Sequence, residues 1–199
     1  SGRARYLDLF TDTLWKVVAG AAAAGVLLST VLSPRSRGLS LLFGLRALSG
    51  LAIVAGAAAH GVALGFETME TPFMDTISKS MVYVREIDSP YLGVYPDLGN
   101  LTNACELYGT HVSDEICAGR GHLMAMHLKE TVPGKYRDMD FGTGRVDFIS
   151  GIRDAYACGV RLFTAEFWHD GRINWQERLK NTNRFLREKF DCALGSADT

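Results

Sequence analysis

The chain lacks a surplus of charge of either sign: 21 basic residues face 22 acidic ones, for a formal net charge of -1. Nucleic-acid binding leaves a basic footprint and none is present, so no nucleic acid is expected as a partner. Cysteine is sparse as well. Cys105, Cys117, Cys158 and Cys192 stand far apart with no C-x-x-C pair, which fits neither a zinc ribbon nor a small disulfide-stapled domain. They read as reduced thiols of a cytoplasmic protein. The opening Ser1-Gly2-Arg3-Ala4-Arg5 has no apolar core followed by a cleavage signal, so no secretory leader is expected. Length is short for one architecture too. The 199 residues can bury one sizeable core, yet they fall below the roughly 250 of a complete (β/α)8 barrel.

Composition changes near residue 61. From Leu14 to Leu32 and from Leu39 to Val62 the chain is dominated by Ala, Gly, Leu and Val, and Ser33-Pro34-Arg35-Ser36-Arg37-Gly38 forms a basic turn between the two stretches. Each stretch approaches the roughly 20 apolar residues of a membrane span, so membrane contact through residues 14–62 is one reading. Lys16, Arg46 and His60 would each be costly at most depths of a bilayer, and a pair of close-packed helices is the reading favoured. Beyond Gly61, short apolar runs alternate with amphipathic segments, the pattern of βα units with a parallel sheet. The runs are Val62 to Phe66, Tyr91 to Tyr95, Leu123 to Met126 and Leu162 to Ala165. Helices are expected from about Thr76 to Glu86, Ser113 to Ala118, Asp147 to Cys158 and Asn174 to Lys189, with Asp147 and Asn174 as caps. The fold expected is therefore α/β, a partial (β/α)8 barrel of about four βα units over residues 61–190. It follows an Ala/Gly-rich helical segment over residues 1–60 and ends in a tail over 191–199.

Each apolar run ends on a residue able to bind a metal: Glu67, Asp97, His127 and Glu166, separated by 30, 30 and 39 residues. A βαβ unit takes roughly 30 residues or more, so this spacing returns the chain to equivalent positions on successive strands. The carboxyl ends of parallel barrel strands share one mouth, where the four groups would converge. Three carboxylates and an imidazole suit one divalent ion, Mn²⁺, Mg²⁺ or Zn²⁺, and the ion relieves the repulsion that would otherwise force a proton onto one carboxylate. Taken singly, such residues are more often caps, salt-bridge partners or structural histidines; their repetition is the signal. His122, five residues before His127, reads as structural, and His60, His111 and His169 have no comparable companions. Met124, Met126 and Phe163 read as core.

The motifs Glu67-Thr68-Met69-Glu70-Thr71-Pro72-Phe73-Met74-Asp75, Tyr95-Pro96-Asp97-Leu98-Gly99-Asn100-Leu101, Gly121 to Gly134, Phe141 to Phe148 and Ala165-Glu166-Phe167-Trp168 occur in that order. This series resembles the L-ribulose-5-phosphate 3-epimerase and hexulose-6-phosphate isomerase family of xylose-isomerase-like barrels, from about Gly61 to about Leu186. The resemblance implies reversible epimerisation beside a ketose carbonyl, with a small sugar phosphate as substrate. It also implies that Glu67 and Glu166, besides binding metal, act as acid and base on opposite substrate faces. Asn100, three residues past Asp97, is placed to hydrogen-bond the sugar, and Lys129, two past His127, to face an anionic substrate. The loop Phe141-Gly142-Thr143-Gly144-Arg145 offers amides and a guanidinium as phosphate sites do, or else a tight turn before the helix at Asp147. A member of this family would carry four further βα units ahead of Glu67, and residues 1–60 do not show their pattern, so part of the substrate pocket is expected to be absent and turnover by this chain alone to be weak or missing. Two other readings stand beside the enzyme: a non-catalytic barrel fragment that pairs with a second copy or a membrane, and a metal-dependent endonuclease on the same fold, which the near-neutral charge disfavours.

Overall fold

The computed structural model describes residues 50–168, 171 and 174–195. The chain divides into two compact units, Ser1–Val62 and Ala63–Thr199. In the first, residues 50–59 are helical. The helix ends at Gly61, whose φ of 68° lets the Gly61 amide reach Ala58 and the Val62 amide reach Ala57. Both bonds satisfy last-turn carbonyls, and a left-handed residue at that point favours glycine. No helix among the described residues is long and apolar enough to cross a membrane. Most of the 14–62 stretch, and His169, lie outside the described residues.

The second unit alternates strand and helix as its sequence pattern requires. Its strands are β1 (Leu64–Glu67), β2 (Leu92–Tyr95), β3 (Met126–Leu128) and β4 (Phe163–Ala165). β1 pairs parallel with β2, and β3 with β4; parallel bridges Val94↔Leu123 and Asp97↔His127 join the two pairs. Four parallel strands in chain order, with helices between them, make a partial barrel.

The helices are α1 (Ile77–Ile87), α2 (Leu98–Tyr108), α3 (Val112–Ala118), α4 (Phe148–Ala157) and α5 (Trp175–Leu194). Amphipathic spacing explains how they pack. Ile77, Ser80, Met81 and Val84 of α1 recur at i, i+3, i+4 and i+7 and are all buried. Phe148, Ile152 and Ala155 do the same for α4. The core they share holds Val94, Leu101, Ile116, Met126, Leu128 and Val160. Thr76 and Asp147 cap α1 and α4, accepting from the amides of Lys79 and Ser150. The latter bond is the main reason the Asp147 carboxyl titrates below its ordinary value.

Several expectations need correction. α2 is a full helix where the sequence reading has none. Gly99, Asn100, Thr102 and Asn103 depress its propensity, but Asp97 caps it and its Leu98, Leu101 and Cys105 are buried. The third strand lies at Met126–Leu128, so His127 is within it, and Leu123 contributes only a bridge. Met124 is 38% exposed, not core. It covers the backbone at Gly65 and Gly93, where a Cβ would lie 3.2 and 2.7 Å from its atoms. Asn174 precedes α5 but makes no side-chain capping bond, and α5 continues through residues 191–194. All four cysteines are free, with Cys105 and Cys158 buried.

Candidate metal centre

The site begins with two residues that fasten strand ends together. Thr68 follows β1 and is fully buried; its Oγ1 accepts from the Asp97 amide at 2.8 Å, while Asn100 Nδ2 donates to the Thr68 carbonyl at 2.8 Å. Across the sheet, the His127 amide donates to the Pro96 carbonyl at 2.8 Å and the Glu166 amide to the Leu128 carbonyl at 2.9 Å. These bonds hold the carboxyl ends of all four strands in one rim. Gly99 permits the approach of α2 to that rim, because a Cβ there would stand 2.8 Å from the Lys129 carbonyl oxygen.

Glu67, Asp97, His127 and Glu166 each bring one potential ligand atom into a cluster in which all lie within 4.8 Å of one another. His127 Nδ1 hydrogen-bonds Glu67 Oε1 at 3.0 Å and lies 3.1 Å from Glu166 Oε2. Glu166 Oε2 is buried, and His127 Nδ1 is its close polar neighbour. The His127 ring packs against Tyr95, centroids 4.4 Å apart, and Tyr95 is tied through its hydroxyl to Thr164 at 2.8 Å. Asp97 divides its carboxylate between two tasks: Oδ1 caps α2 by accepting from the Asn100 amide at 2.7 Å, and Oδ2 is buried without a hydrogen bond.

The electrostatics follow from crowding acids around one imidazole. Burial pushes the Asp97 carboxyl up to about 7, although Lys129 opposes it. The neighbouring His127 holds Glu166 down to about 2, and Glu166 in turn raises His127 above its ordinary value. Buried oxygens of Asp97 and Glu166 without hydrogen bonds, in a set of three carboxylates and one imidazole, are what a hard divalent cation requires of its ligands. The residues present fit such an ion.

The sequence profile of the xylose isomerase-like TIM barrel family matches residues 46–189. The chain belongs to this family. Among curated family relatives, the L-ribulose-5-phosphate 3-epimerase UlaE of Salmonella paratyphi C (strain RKS4594) is 37% identical over 135 residues, covering 66% of this chain and 45% of that protein. Its counterpart in Salmonella choleraesuis (strain SC-B67) matches to the same extent. The chain thus spans less than half the length of these relatives. In fold, it resembles a xylose isomerase domain protein from Alicyclobacillus acidocaldarius, with a TM-score of 0.62 and 18% identity over 82% of this chain and 62% of that one. An L-ribulose 3-epimerase gives 0.60 and 15% over 84% and 61%.

The remaining site candidates fall in different places. Asn100 and Lys129 line the same cavity of about 510 Å³ as Glu67, His127 and Glu166. Asn100 keeps a buried Oδ1 without a hydrogen bond. Arg145 lines a neighbouring cavity of about 500 Å³, which Glu70 and Asn100 also border. Its Nη2 donates to Asn103 Oδ1 at 2.9 Å and its Nη1 pairs with Glu106. Several amides in and beside the 141–145 loop are engaged within the protein. Its Gly142 amide, with that of Val146 just beyond it, donates to the buried Glu130 carboxylate at 2.8 and 3.2 Å, and the Thr143 and Arg145 amides bond backbone carbonyls.

Sequence reasoning missed Thr68, Glu70, Arg137 and Trp168. Glu70 and Arg137 pair at 3.2 Å, and Arg137 lies over the Trp168 ring at 4.7 Å, so these three close one side of the cavity. Glu70, three residues past Glu67, carried the one local signal of the group.

Proposed function

We propose that this chain carries the metal-binding half of a sugar-phosphate epimerase that inverts C3 of a ketose phosphate such as L-ribulose 5-phosphate. The observation that carries the reading is the convergence of Glu67, Asp97, His127 and Glu166 within 4.8 Å at the ends of parallel strands. The identity to L-ribulose-5-phosphate 3-epimerases over 135 residues supports it. Inverting a carbon requires a proton to leave one face and another to arrive on the opposite face. Glu67 and Glu166 both reach His127 Nδ1 and both line the cavity, so they are the two carboxylates to do this.

Asp97 and His127, with the two glutamates, would hold a divalent ion, which would supply Lewis-acid polarisation of the substrate carbonyl and hydroxyl oxygens. Asn100 offers its free Oδ1 to a sugar hydroxyl. Arg145 faces the adjoining cavity, on the side where the anionic end of a longer substrate would extend. Glu166 is held in its carboxylate form by His127, the protonation state from which a base acts.

The test is nuclear magnetic resonance of the chain loaded with Mn²⁺ or Zn²⁺ and supplied with L-ribulose 5-phosphate in deuterium oxide, zinc being used where paramagnetism interferes. The expected result is deuterium at C3 and growth of the C3 epimer. A chain that binds the ion but leaves the C3 proton unexchanged would refute the reading.

A further inference from the structure

Lys129 is among the most buried charged residues described, with 6% of its side chain exposed, and it lies beside the ligand cluster. Its Nζ is 3.4 Å from Asp97 Oδ2, 3.5 Å from Glu166 Oε1 and 4.0 Å from Glu70 Oε1. An ammonium has three N–H donors, and here three carboxylates surround it. Beyond Glu70 the charges continue to alternate, because the other partner of Glu70 is Arg137, at 3.2 Å. This arrangement turns the ammonium toward the ligands.

We propose that Lys129 is a positioning residue whose ammonium, set between Asp97, Glu166 and Glu70, fixes the net charge of the ligand cage at the value a divalent cation neutralises. The proposal rests on the metal-centre reading above and revises the expectation that Lys129 faces an anionic substrate. Once the entering cation has displaced the Asp97 proton, three carboxylates bring three negative charges to the cage, and Lys129 returns one. A cation entering the cage then leaves neither a surplus nor a deficit of charge beside Asp97 and Lys129, which are both buried, and a mismatch there is costly. The same ammonium holds Asp97 Oδ2 and Glu166 Oε1 on one side, which limits the orientations these carboxylates can take.

Charge matching separates from simple support by its dependence on ion valence. Removing the ammonium leaves a cage suited to a trivalent ion, and the gain in attraction scales with the charge of the ion bound. The experiment titrates the unaltered chain, Lys129→Met, Lys129→Gln and Lys129→Arg with Mn²⁺ and with Tb³⁺, by calorimetry and by terbium luminescence. In Lys129→Met the ratio of Tb³⁺ to Mn²⁺ affinity should rise at least about tenfold, while Lys129→Arg keeps the parent ratio. Lys129→Gln should behave as the methionine variant does and serves if that variant does not fold. A ratio that stays within about twofold of the parent in the neutral variants would overturn the proposal alone. Failure of the unaltered chain to bind either ion would overturn the metal centre and the proposal with it.

Discussion

Asp97→Asn is expected to preserve the metal-free fold while weakening divalent-cation binding at least about 100-fold. The two effects separate because Asp97 uses its oxygens differently. Oδ1 caps α2 through the Asn100 amide, and asparagine caps a helix about as well as aspartate. Oδ2 is the buried oxygen without a hydrogen bond, and an amide there has no anionic charge to offer a metal. Thermal denaturation with and without Zn²⁺ measures both. The unaltered chain should melt higher with the ion, since a ligand bound only to the folded state stabilises it by mass action, and Asp97→Asn should not.

The same residue fixes a pH dependence. Its carboxyl is raised from about 4 to about 7 by burial, so between those values the folded, metal-free chain holds a proton that the unfolded chain has lost. Stability of the metal-free chain therefore falls as pH rises through that window. A cation must displace this proton, and the raised His127 adds to the competition. Affinity for Zn²⁺ should climb as pH rises through about 7. Asp97→Asn removes the aspartate share of the climb.

The second large effect concerns the division of labour between the glutamates. On the proposed function, Glu67→Gln and Glu166→Gln should each slow net epimerisation of L-ribulose 5-phosphate by about 10²- to 10⁴-fold, the range of a positioned acid or base. If each glutamate serves one face of the sugar, the two variants should fail differently. One should still exchange the C3 proton of the ribulose epimer with deuterium oxide, and the other that of the C3-inverted product, without turnover between the two. Equal loss of exchange from both epimers in both variants would contradict the two-face assignment. Metal content is followed alongside, because Glu67 and Glu166 also belong to the ligand cluster.

Much of this was legible in the residues. Strand ends are punctuated by polar groups after apolar runs, and the repeat spacing of Glu67, Asp97 and His127 carries the topology with it. Boundaries were less legible. Leu123 to Met126 reads as a strand, but the ladder is interrupted there and resumes at Met126–Leu128, because pairing depends on the neighbouring strands rather than on local hydrophobicity. α2 was hidden by Gly99 and three polar residues, although Asp97 announces a cap as well as a ligand. The position of Lys129, two residues past His127 and just beyond β3, could be read from strand alternation, but its partners could not. Glu70 comes from the loop after β1 and Asp97 from the end of β2, and only the folded sheet brings them together. For Arg145 and its loop, the buried carboxylate of Glu130 takes the amides of Gly142 and Val146, a contact that the G-x-G pattern does not announce.

The central claim is that four side chains from successive strands grip one cation, and X-ray absorption of the zinc-loaded chain tests it most directly. One zinc per chain is expected, with an imidazole nitrogen at about 2.0–2.1 Å and carboxylate oxygens at about 2.0–2.2 Å. The imidazole signal should vanish in His127→Ala. A zinc whose histidine scattering survives that substitution, or one bound through sulfur, would place the ion elsewhere on the chain and contradict the account.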